Sequence, residues 1–322
     1  MLNVQRILCA VQLRLDEIEV LSHACAIASP FHARVDALLV RPDEVRPSRS
    51  DGARAQLTPE LDASHEAELL FATLLSGKDT IRVKGRVVSS DPHAILAQSA
   101  ECNSDLIVVA ARRTLASQEQ RPALSDELGR STGCPILTVP LASGASSVTR
   151  ILLPVDFSPA TARAVEWATL LAHRFSATVR VLHAVGSAAL RSEPPRHGET
   201  VQTSFTRAHA MIEEVEQRLR QNGVTCETTI AEQGTTHAIL ACREREESDL
   251  IVMGMHPHEN ERTASSGMVS SIRRRATVPV LSIMTPEAED RMTLSDPVRD
   301  NVTWMHRPAP SAGMRHAVAS AS

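Results

Sequence analysis

The chain has 322 residues, of which 43% are hydrophobic and 22% are charged, and its formal net charge is −4. This is the composition of a soluble globular protein that is long enough to form two full-sized domains. The mild acidic balance, the 2% of aromatic residues and the absence of tyrosine argue against a nucleic-acid partner, since nucleic-acid binders carry basic surfaces and aromatic stacking platforms.

In chain order, strand and helix patterns alternate through the first half of the sequence and then again through the second. The first copy has strands predicted near 6–11, 34–40, 81–88, 105–110 and 136–140, with helices near 16–29, 60–75, 92–102 and 124–132. The second copy has strands predicted near 150–155, 178–185, 225–231, 249–254 and 279–284, with helices near 159–174, 200–221, 235–247 and 268–276. Strands separated by helical crossovers form a parallel, doubly wound α/β sheet.

The two copies are related by one constant offset of 144 residues. The matching stretches are Arg6-Ile7-Leu8 with Arg150-Ile151-Leu152, Phe31 with Phe175, His93 to Leu96 with His237 to Leu240, Ser104 to Val108 with Ser248 to Val252, and Pro135-x-Leu137 with Pro279-x-Leu281. Agreement from end to end predicts two copies of one domain, over residues 1–141 and 149–285. Residues 141–149 are expected to be a flexible linker, and residues 286–322 a disordered or loosely attached tail.

The expected compartment follows from what the sequence lacks. No apolar run reaches the roughly 18 residues that a membrane span needs, and the N-terminus reads as a first strand instead of a signal peptide. The cysteines form no C-x-x-C pair and several lie in apolar strand or helix patterns, which favours reduced and mostly buried side chains. We therefore expect a cytoplasmic protein with no membrane partner.

The loop after the fourth strand of the second copy has the spacing of a phosphate-binding site. An apolar run ends at Gly254, and Gly267 precedes a helical pattern. A loop that leads from a parallel strand into a helix suits phosphate, because free N–H groups and the helix dipole face the anion. The pattern Gly254-x2-Pro257-x9-Gly267-Met268 resembles the nucleotide loop of the universal stress protein family, Gly-x2-Gly-x9-Gly-Ser/Thr, with the spacing intact and two residues changed.

This resemblance implies a fold, a ligand and a mode of assembly. The fold is a tandem of two domains, each a five-stranded parallel sheet in the order 3-2-1-4-5 with helices on both faces. The implied ligand is ATP, bound in the second domain only. The residues placed at the nucleotide are Pro154, Asp156, Ala184, Met253, Gly254, His256, Gly267, Met268, Val269 and Ser270. The domains are expected to pair through edge strands 136–140 and 279–284, either within one chain or between the chains of a homodimer.

Asp156 has two roles that its neighbours leave open. It follows the first strand of the second copy, where a carboxylate can accept hydrogen bonds from a ribose or an adenine amino group. It can equally cap the helix predicted from Pro159, in competition with Ser158. The stretch Pro154-Val155-Asp156-Phe157-Ser158 resembles the family's Pro-x-Asp-Phe-Ser, and this resemblance favours the nucleotide-facing role.

The phosphate end departs from the family pattern in both copies. In the second copy Pro257 lacks a backbone donor and Met268 replaces a hydroxyl with a thioether, so only weak binding is expected. In the first copy the positions of Asp156, Gly254, Pro257, Gly267 and Met268 are held by Gln12, Ala110, Arg113, Ala123 and Leu124. The first copy is therefore predicted to keep the fold without the site.

Other motifs are more simply explained without a ligand. His256-x-His258 has no third metal ligand at a suitable spacing and reads as a solvated loop. Arg273-Arg274-Arg275 falls near a helix C-terminus, where positive charge is favourable, so no nucleic acid is needed to explain it. No P-loop, no hydrolase motif and no paired acid and base are present, so the protein is not expected to be an enzyme. The prediction is a stress-response factor with weak ATP binding; the alternative is an interaction module in which both sites are vestigial.

Overall fold

The computed structural model describes residues 2–11, 18–40, 81–88, 92–111, 124–141, 147–185, 201–232, 234–255 and 267–284. In the first half these residues form β1 (Arg6–Val11), α1 (Ile18–Ala28), a 3-10 turn (Ser29–Phe31), β2 (Arg34–Val40), β3 (Ile81–Val88), α2 (Pro92–Cys102), β4 (Leu106–Ala111), α3 (Leu124–Ser131) and β5 (Ile136–Pro140). In the second half they form β6 (Arg150–Pro154), α4 (Pro159–Phe175), β7 (Thr178–Ala184), α5 (Val201–Gln221), β8 (Cys226–Ala231), α6 (Thr235–Arg245), β9 (Leu250–Met255), α7 (Met268–Arg275) and β10 (Val280–Met284).

The strands of both halves lie in one sheet, in the order β3-β2-β1-β4-β5-β10-β9-β6-β7-β8. Counted along its own sequence, each half contributes five parallel strands in the order 3-2-1-4-5. The predicted fold class, two repeated doubly wound α/β domains, is confirmed. In each half the strand order reverses between the first and fourth strands, and a doubly wound sheet leaves a crevice for ligands at that point.

The predicted elements agree with the observed ones to within two residues wherever the structure describes them. One of the larger differences is at α6, which ends at Arg245 because Glu247 has a left-handed φ of 48° and cannot continue the helix. The helix predicted near 60–75, the linker residues 142–146 and the tail lie outside the described residues. The domain boundaries drawn from them stay predictions.

The central strands are apolar on both faces because both faces of the sheet are covered. In β1, Ile7, Cys9 and Val11 belong to one buried cluster, whereas Leu8 and Ala10 belong to another. This alternation between two cores explains the continuous apolar runs in the sequence, which are typical of parallel strands with no solvent face.

The repeated Ser-Asp stretch before β4 and β9 fixes the start of the neighbouring strand. The Asp105 carboxylate accepts the backbone N–H groups of Gln5 and Arg6, at 2.8 and 2.9 Å. Asp249 accepts the equivalent N–H groups at the start of β6, also at 2.8 and 2.9 Å. Both copies therefore need a carboxylate here for the fold, whether or not either binds a ligand.

The halves are joined by β5 and β10, which pair antiparallel in the middle of the sheet. Leu137 lies opposite Leu281, its own equivalent in the other copy. Thr138 lies opposite Val280, and Ile136 lies opposite Ser282. Ser282 is the repeat equivalent of Thr138 and Val280 that of Ile136, so exchanging the two halves turns one pair into the other. The halves are thus related by an approximate twofold axis that passes between Leu137 and Leu281.

On one face of the sheet the same axis passes between Phe31 and Phe175, which are also repeat equivalents. Their rings meet edge to face with centroids 6.3 Å apart. The guanidinium of Arg174 lies 5.3 Å from the centroid of the Phe31 ring, a cation–π contact that the equivalent residue, Pro30, cannot make in the other direction. The interface is therefore twofold in backbone geometry but not in side-chain chemistry.

Candidate functional site

The carboxyl ends of β6, β7 and β9 enclose a cavity of about 200 Å³ in the second half. It lies beside the point where the strand order reverses, between β6 and β9. Its lining residues are Pro154, Val155, Asp156, Thr161, Leu182, His183, Ala184, Thr235, Ile239, Met253, Gly254 and Met268. The fold thus forms a cavity where an open α/β sheet is expected to bind ligands.

Six of the ten residues predicted at the nucleotide line this cavity, namely Pro154, Asp156, Ala184, Met253, Gly254 and Met268. Gly267 directly precedes Met268 and is the N-cap of α7. Val269 and Ser270 follow in the first turn of that helix, but both are buried and neither lines the cavity. His256 lies outside the described residues.

The turn from β6 into α4 is built on Asp156. Its Oδ1 accepts the hydroxyl hydrogens of Ser158 and Thr161 and, at 3.0 Å, the backbone N–H of Ser158. Ser158 is the N-cap of α4, with Pro159 at the first helical position. Phe157, between Asp156 and the cap, has a left-handed φ of 61°. The capping role therefore belongs to Ser158, and Asp156 holds that cap in place while its exposed carboxylate also lines the cavity.

His183, at the end of β7, forms part of the cavity wall. Its Nδ1 lies 2.8 Å from the Val155 carbonyl oxygen, so this nitrogen carries a proton and donates it. The imidazole also packs on Phe157, with ring centroids 4.5 Å apart. These two contacts fix the ring, and in its neutral form Nε2 is left as a hydrogen-bond acceptor.

Gly254 is required by packing. A Cβ built on it would lie 2.5 Å from both the carbonyl carbon and the oxygen of Ala160. The first turn of α4 thus packs directly on β9, and no side chain fits between them. The family resemblance placed this glycine at the nucleotide; the structure gives it a role in packing that requires no ligand.

The start of α7 is the part of the site that suits an anion. Gly267 provides no side-chain cap, and its carbonyl accepts the N–H of Ser271 at 3.0 Å. The first N–H groups of a helix have no partner within the helix and attract negative charge. Met268 lines the cavity at this end. None of the described lining residues is a lysine or an arginine, so the helix terminus is the main positive feature there.

The equivalent positions of the first half belong to its core. Ala10, Val40 and Val109 stand where the second half has Pro154, Ala184 and Met253, and all three are buried. Leu124, in place of Met268, packs against the same apolar cluster. Gln12, Arg113 and Ala123 lie outside the described residues.

The described part of the chain offers neither a cluster of metal-ligating side chains nor a membrane-spanning helix. Among the described residues, no group of three or more His, Cys, Asp or Glu side chains is placed to hold a metal ion. None of the helices in those ranges has the length and apolar character needed to span a bilayer. His256 and His258 are outside them.

Comparison with known proteins assigns the family. The profile of the universal stress protein family matches the chain twice, over residues 3–140 and 147–283. The chain belongs to the universal stress protein family. Its fold is similar to that of a universal stress protein from Archaeoglobus fulgidus DSM 4304, with 18% identity and a TM-score of 0.68 over 89% of this chain and 98% of that one. A functionally unknown protein from Pseudomonas aeruginosa PAO1 is similar too, with 16% identity and a TM-score of 0.61 over 91% and 98%. The search of curated proteins gave no match.

Sequence reasoning missed part of this universal stress protein cavity. The lining residues that it did not identify are Val155, Thr161, Leu182, His183, Thr235 and Ile239. His183 could have been predicted, because it directly precedes Ala184, which the sequence analysis places at the nucleotide. Thr161 carried a weaker signal, because Thr hydroxyls near the start of a helix commonly make local hydrogen bonds, and it follows Asp156 by five residues.

Proposed function

We propose that the second domain of this tandem universal stress protein binds adenine nucleotide weakly, with ATP as the ligand, and that the first domain binds none. The observation that carries the proposal is the cavity of about 200 Å³ at the strand-order reversal, which has Asp156, Ala184 and Gly254 on its wall. In the first domain the equivalents of Pro154, Ala184 and Met253, which are Ala10, Val40 and Val109, are all buried in the core. On this proposal the protein is a cytoplasmic stress-response factor that responds to nucleotide.

The residues present fit the nucleoside end of the ligand better than its phosphates. Ligand pockets commonly measure about 300–1,000 Å³, so this smaller cavity suits the nucleoside, with the phosphates directed towards the start of α7. Asp156 and the fixed imidazole of His183 supply hydrogen-bonding groups to the nucleoside. At the phosphate end the Met268 thioether offers no donor, which is the reason to expect weak affinity.

A binding role is proposed without a catalytic step. Asp156 and His183 are the ionisable side chains among the described lining residues. Both are hydrogen-bonded within the protein, Asp156 to the cap of α4 and His183 to Val155. These contacts suit groups that shape a binding site more than groups that exchange protons with a substrate.

The test is to fill the cavity and measure ATP binding by calorimetry on the full chain. Ala184→Leu places a larger side chain in the cavity wall, and a steric clash with the bound nucleotide of about 1–3 kcal/mol weakens binding by about five- to a hundredfold. Val40→Leu, at the equivalent position of the first domain, is the matched control and leaves ATP affinity unchanged. Thermal melts check that both variants are folded. Binding that survives Ala184→Leu but is lost in Val40→Leu would mean that the site lies in the first domain, and it would contradict the proposal.

The second candidate function is an interaction module with two vestigial sites. The observation in its favour is the contact of Gly254 with Ala160, which explains the retained glycine without any nucleotide. On that alternative, ATP and AMP bind to neither domain at millimolar concentration, and Ala184→Leu changes nothing but stability.

A further inference from the structure

Arg273 of α7 is buried against the other half of the chain. Its Nη1 lies 3.0 Å from the Asp126 carboxylate and 3.0 Å from the Ser125 carbonyl oxygen, both in α3. Its Nε donates to Ser282 Oγ in β10 at 3.0 Å, and Nη2 lies 3.1 Å from Met255 Sδ. The side chains of Arg273 and Asp126 are each 2% exposed. A buried ion pair therefore crosses the interface between the two domains.

The pair is present in one direction only, although the backbone interface is nearly twofold. The repeat equivalent of Arg273 is Gly129, and that of Asp126 is Ser270. Gly129 faces the pair, because a Cβ built on it would lie 3.6 Å from Arg273 Nη2 and 3.3 Å from Met255 Cε. The missing side chain of the first domain thus leaves the space that the guanidinium of the second domain occupies.

The same asymmetry is seen in two buried polar atoms that have no hydrogen-bond partner among the described residues. Thr138, the equivalent of Ser282, has a buried Oγ1 without a hydrogen-bond partner among the described residues. The residue that would serve it by symmetry is Gly129, which has no side chain to donate. Asp126 Oδ2 is buried and also lacks a partner within the described ranges.

The charge of Arg273 is stabilised in this buried position by the Asp126 carboxylate. Desolvation by burial lowers the pKa of the Arg273 guanidinium, and the charge of Asp126 and its hydrogen bond act in the opposite direction. A guanidinium at this place without the carboxylate would be an unpaired buried charge, which proteins strongly disfavour.

We propose that the Arg273–Asp126 pair is a specificity device, which makes the α3 and β5 face of the first domain accept only the α7 and β10 face of the second domain. Two second-domain faces would bury two copies of Arg273 opposite Ser270. Two first-domain faces would bury two copies of Asp126 opposite Gly129. Each pairing of like domains from two chains leaves buried charges without partners and is rejected.

The strands alone do not make this choice. Leu137 of β5 and Leu281 of β10 face each other on the approximate axis, so each strand presents an apolar edge suited to its own kind as well as to the other. An isologous surface of this kind pairs with itself unless a repulsive element prevents it. Each face is therefore expected to bind the other domain of the same chain.

The experiment separates specificity from stability. A protease site is placed within linker residues 142–146 of the full chain, the folded protein is cut, and the cut protein is unfolded, refolded and analysed by native mass spectrometry. Three proteins are compared: wild type, the apolar double variant Arg273→Met with Asp126→Leu, and the control Arg275→Met, which changes an exposed arginine of the same helix. The double variant is expected to fold, because apolar replacement of a buried ion pair is often neutral or stabilising.

Wild type and Arg275→Met are expected to give pairs of unlike domains, with like pairs rarer by about tenfold or more. The double variant is expected to give like and unlike pairs in comparable amounts. Abundant like pairs in wild type, or unlike pairs alone in the double variant, would overturn the proposal. If the cut domains do not refold, the proposal is tested on the uncut chains. Pairing of like domains must then join separate chains, so it is detected as oligomers. The double variant refolded at rising concentration then forms more oligomers than wild type, and equal oligomer distributions would count against the proposal.

Discussion

Gly254 lies so close to Ala160 that a Cβ built on the glycine would be 2.5 Å from the alanine carbonyl oxygen. Gly254 also lines the cavity of the second domain. One residue therefore serves both the contact between β9 and α4 and the wall of the candidate site. Its retention in the sequence is explained by packing, and nucleotide binding has to be tested through residues that have no such second role.

Gly254→Ala is expected to destabilise the protein, because the new methyl group meets backbone that cannot move aside. Overpacking of this kind costs about 1–3 kcal/mol of the free energy of unfolding. Gly133→Ala is the control, since a Cβ at that exposed glycine meets nothing within 4 Å. Urea unfolding monitored by circular dichroism measures both. Equal midpoints for the two variants would mean that α4 shifts freely on β9.

Arg273→Ala is expected to lower the free energy of unfolding by about 3–5 kcal/mol, because it leaves the Asp126 carboxylate buried without its cation. Arg275→Ala, an exposed position on the same helix, is expected to change it by less than about 0.5 kcal/mol. Chemical denaturation of the two variants beside wild type is the measurement. Losses of similar size would show that Arg273 is solvated in solution and that the ion pair carries no weight.

Cys134 is expected to make stability fall at alkaline pH. Burial raises the pKa of its thiol from 9.0 to about 12, and the Asp105 carboxylate adds to the increase. Because the pKa in the folded state lies above its unfolded value, the stabilising contribution is complete below pH 9 and is lost as pH rises towards 12. Between about pH 8 and pH 10.5, wild type should therefore lose more unfolding free energy than Cys134→Ala. Parallel losses in the two proteins would contradict a thiol held protonated by burial.

Asp156→Ala is expected to weaken ATP and AMP binding alike, because the carboxylate acts at the nucleoside end of the cavity. Loss of one charge-assisted hydrogen bond of about 1.5–3 kcal/mol corresponds to about ten- to a hundredfold in affinity. Ser158→Ala is the control, since it removes the α4 cap, worth about 0.5–2 kcal/mol of stability, and leaves the carboxylate. Calorimetric titration with each nucleotide compares them. A larger loss of affinity in Ser158→Ala than in Asp156→Ala would assign Asp156 to the turn alone.

The fold was predictable because its signals are local or repeated. Alternating apolar runs and helical patterns identified the strands and helices, and the constant offset assigned both halves to one topology. The Ser-Asp stretch was visible as a repeat, although its role in fixing β1 and β6 became clear only from the hydrogen bonds of Asp105 and Asp249.

The interface and the part of the cavity wall formed by Val155, Leu182, Thr235 and Ile239 were not predictable, because they depend on contacts distant in sequence. Arg273 falls in an arginine triplet at a helix C-terminus, where favourable positive charge explains all three residues alike, and the sequence does not indicate that Arg273 is buried. Which of three neighbouring arginines faces Asp126 is decided by how the domains pair. The packing role of Gly254 likewise depends on Ala160 in another element.

Nucleotide binding by the second domain is tested most directly by an equilibrium titration of the full chain with ATP, with Met268→Ser measured beside wild type. Wild type is expected to bind one ATP per chain weakly. Met268→Ser is expected to bind it about ten- to a hundredfold more tightly, because a hydroxyl at the start of α7 regains one hydrogen bond to phosphate of about 1.5–3 kcal/mol, and AMP should gain much less. Undetectable binding of ATP by both proteins would contradict the account and leave the cavity as a vestige of the fold.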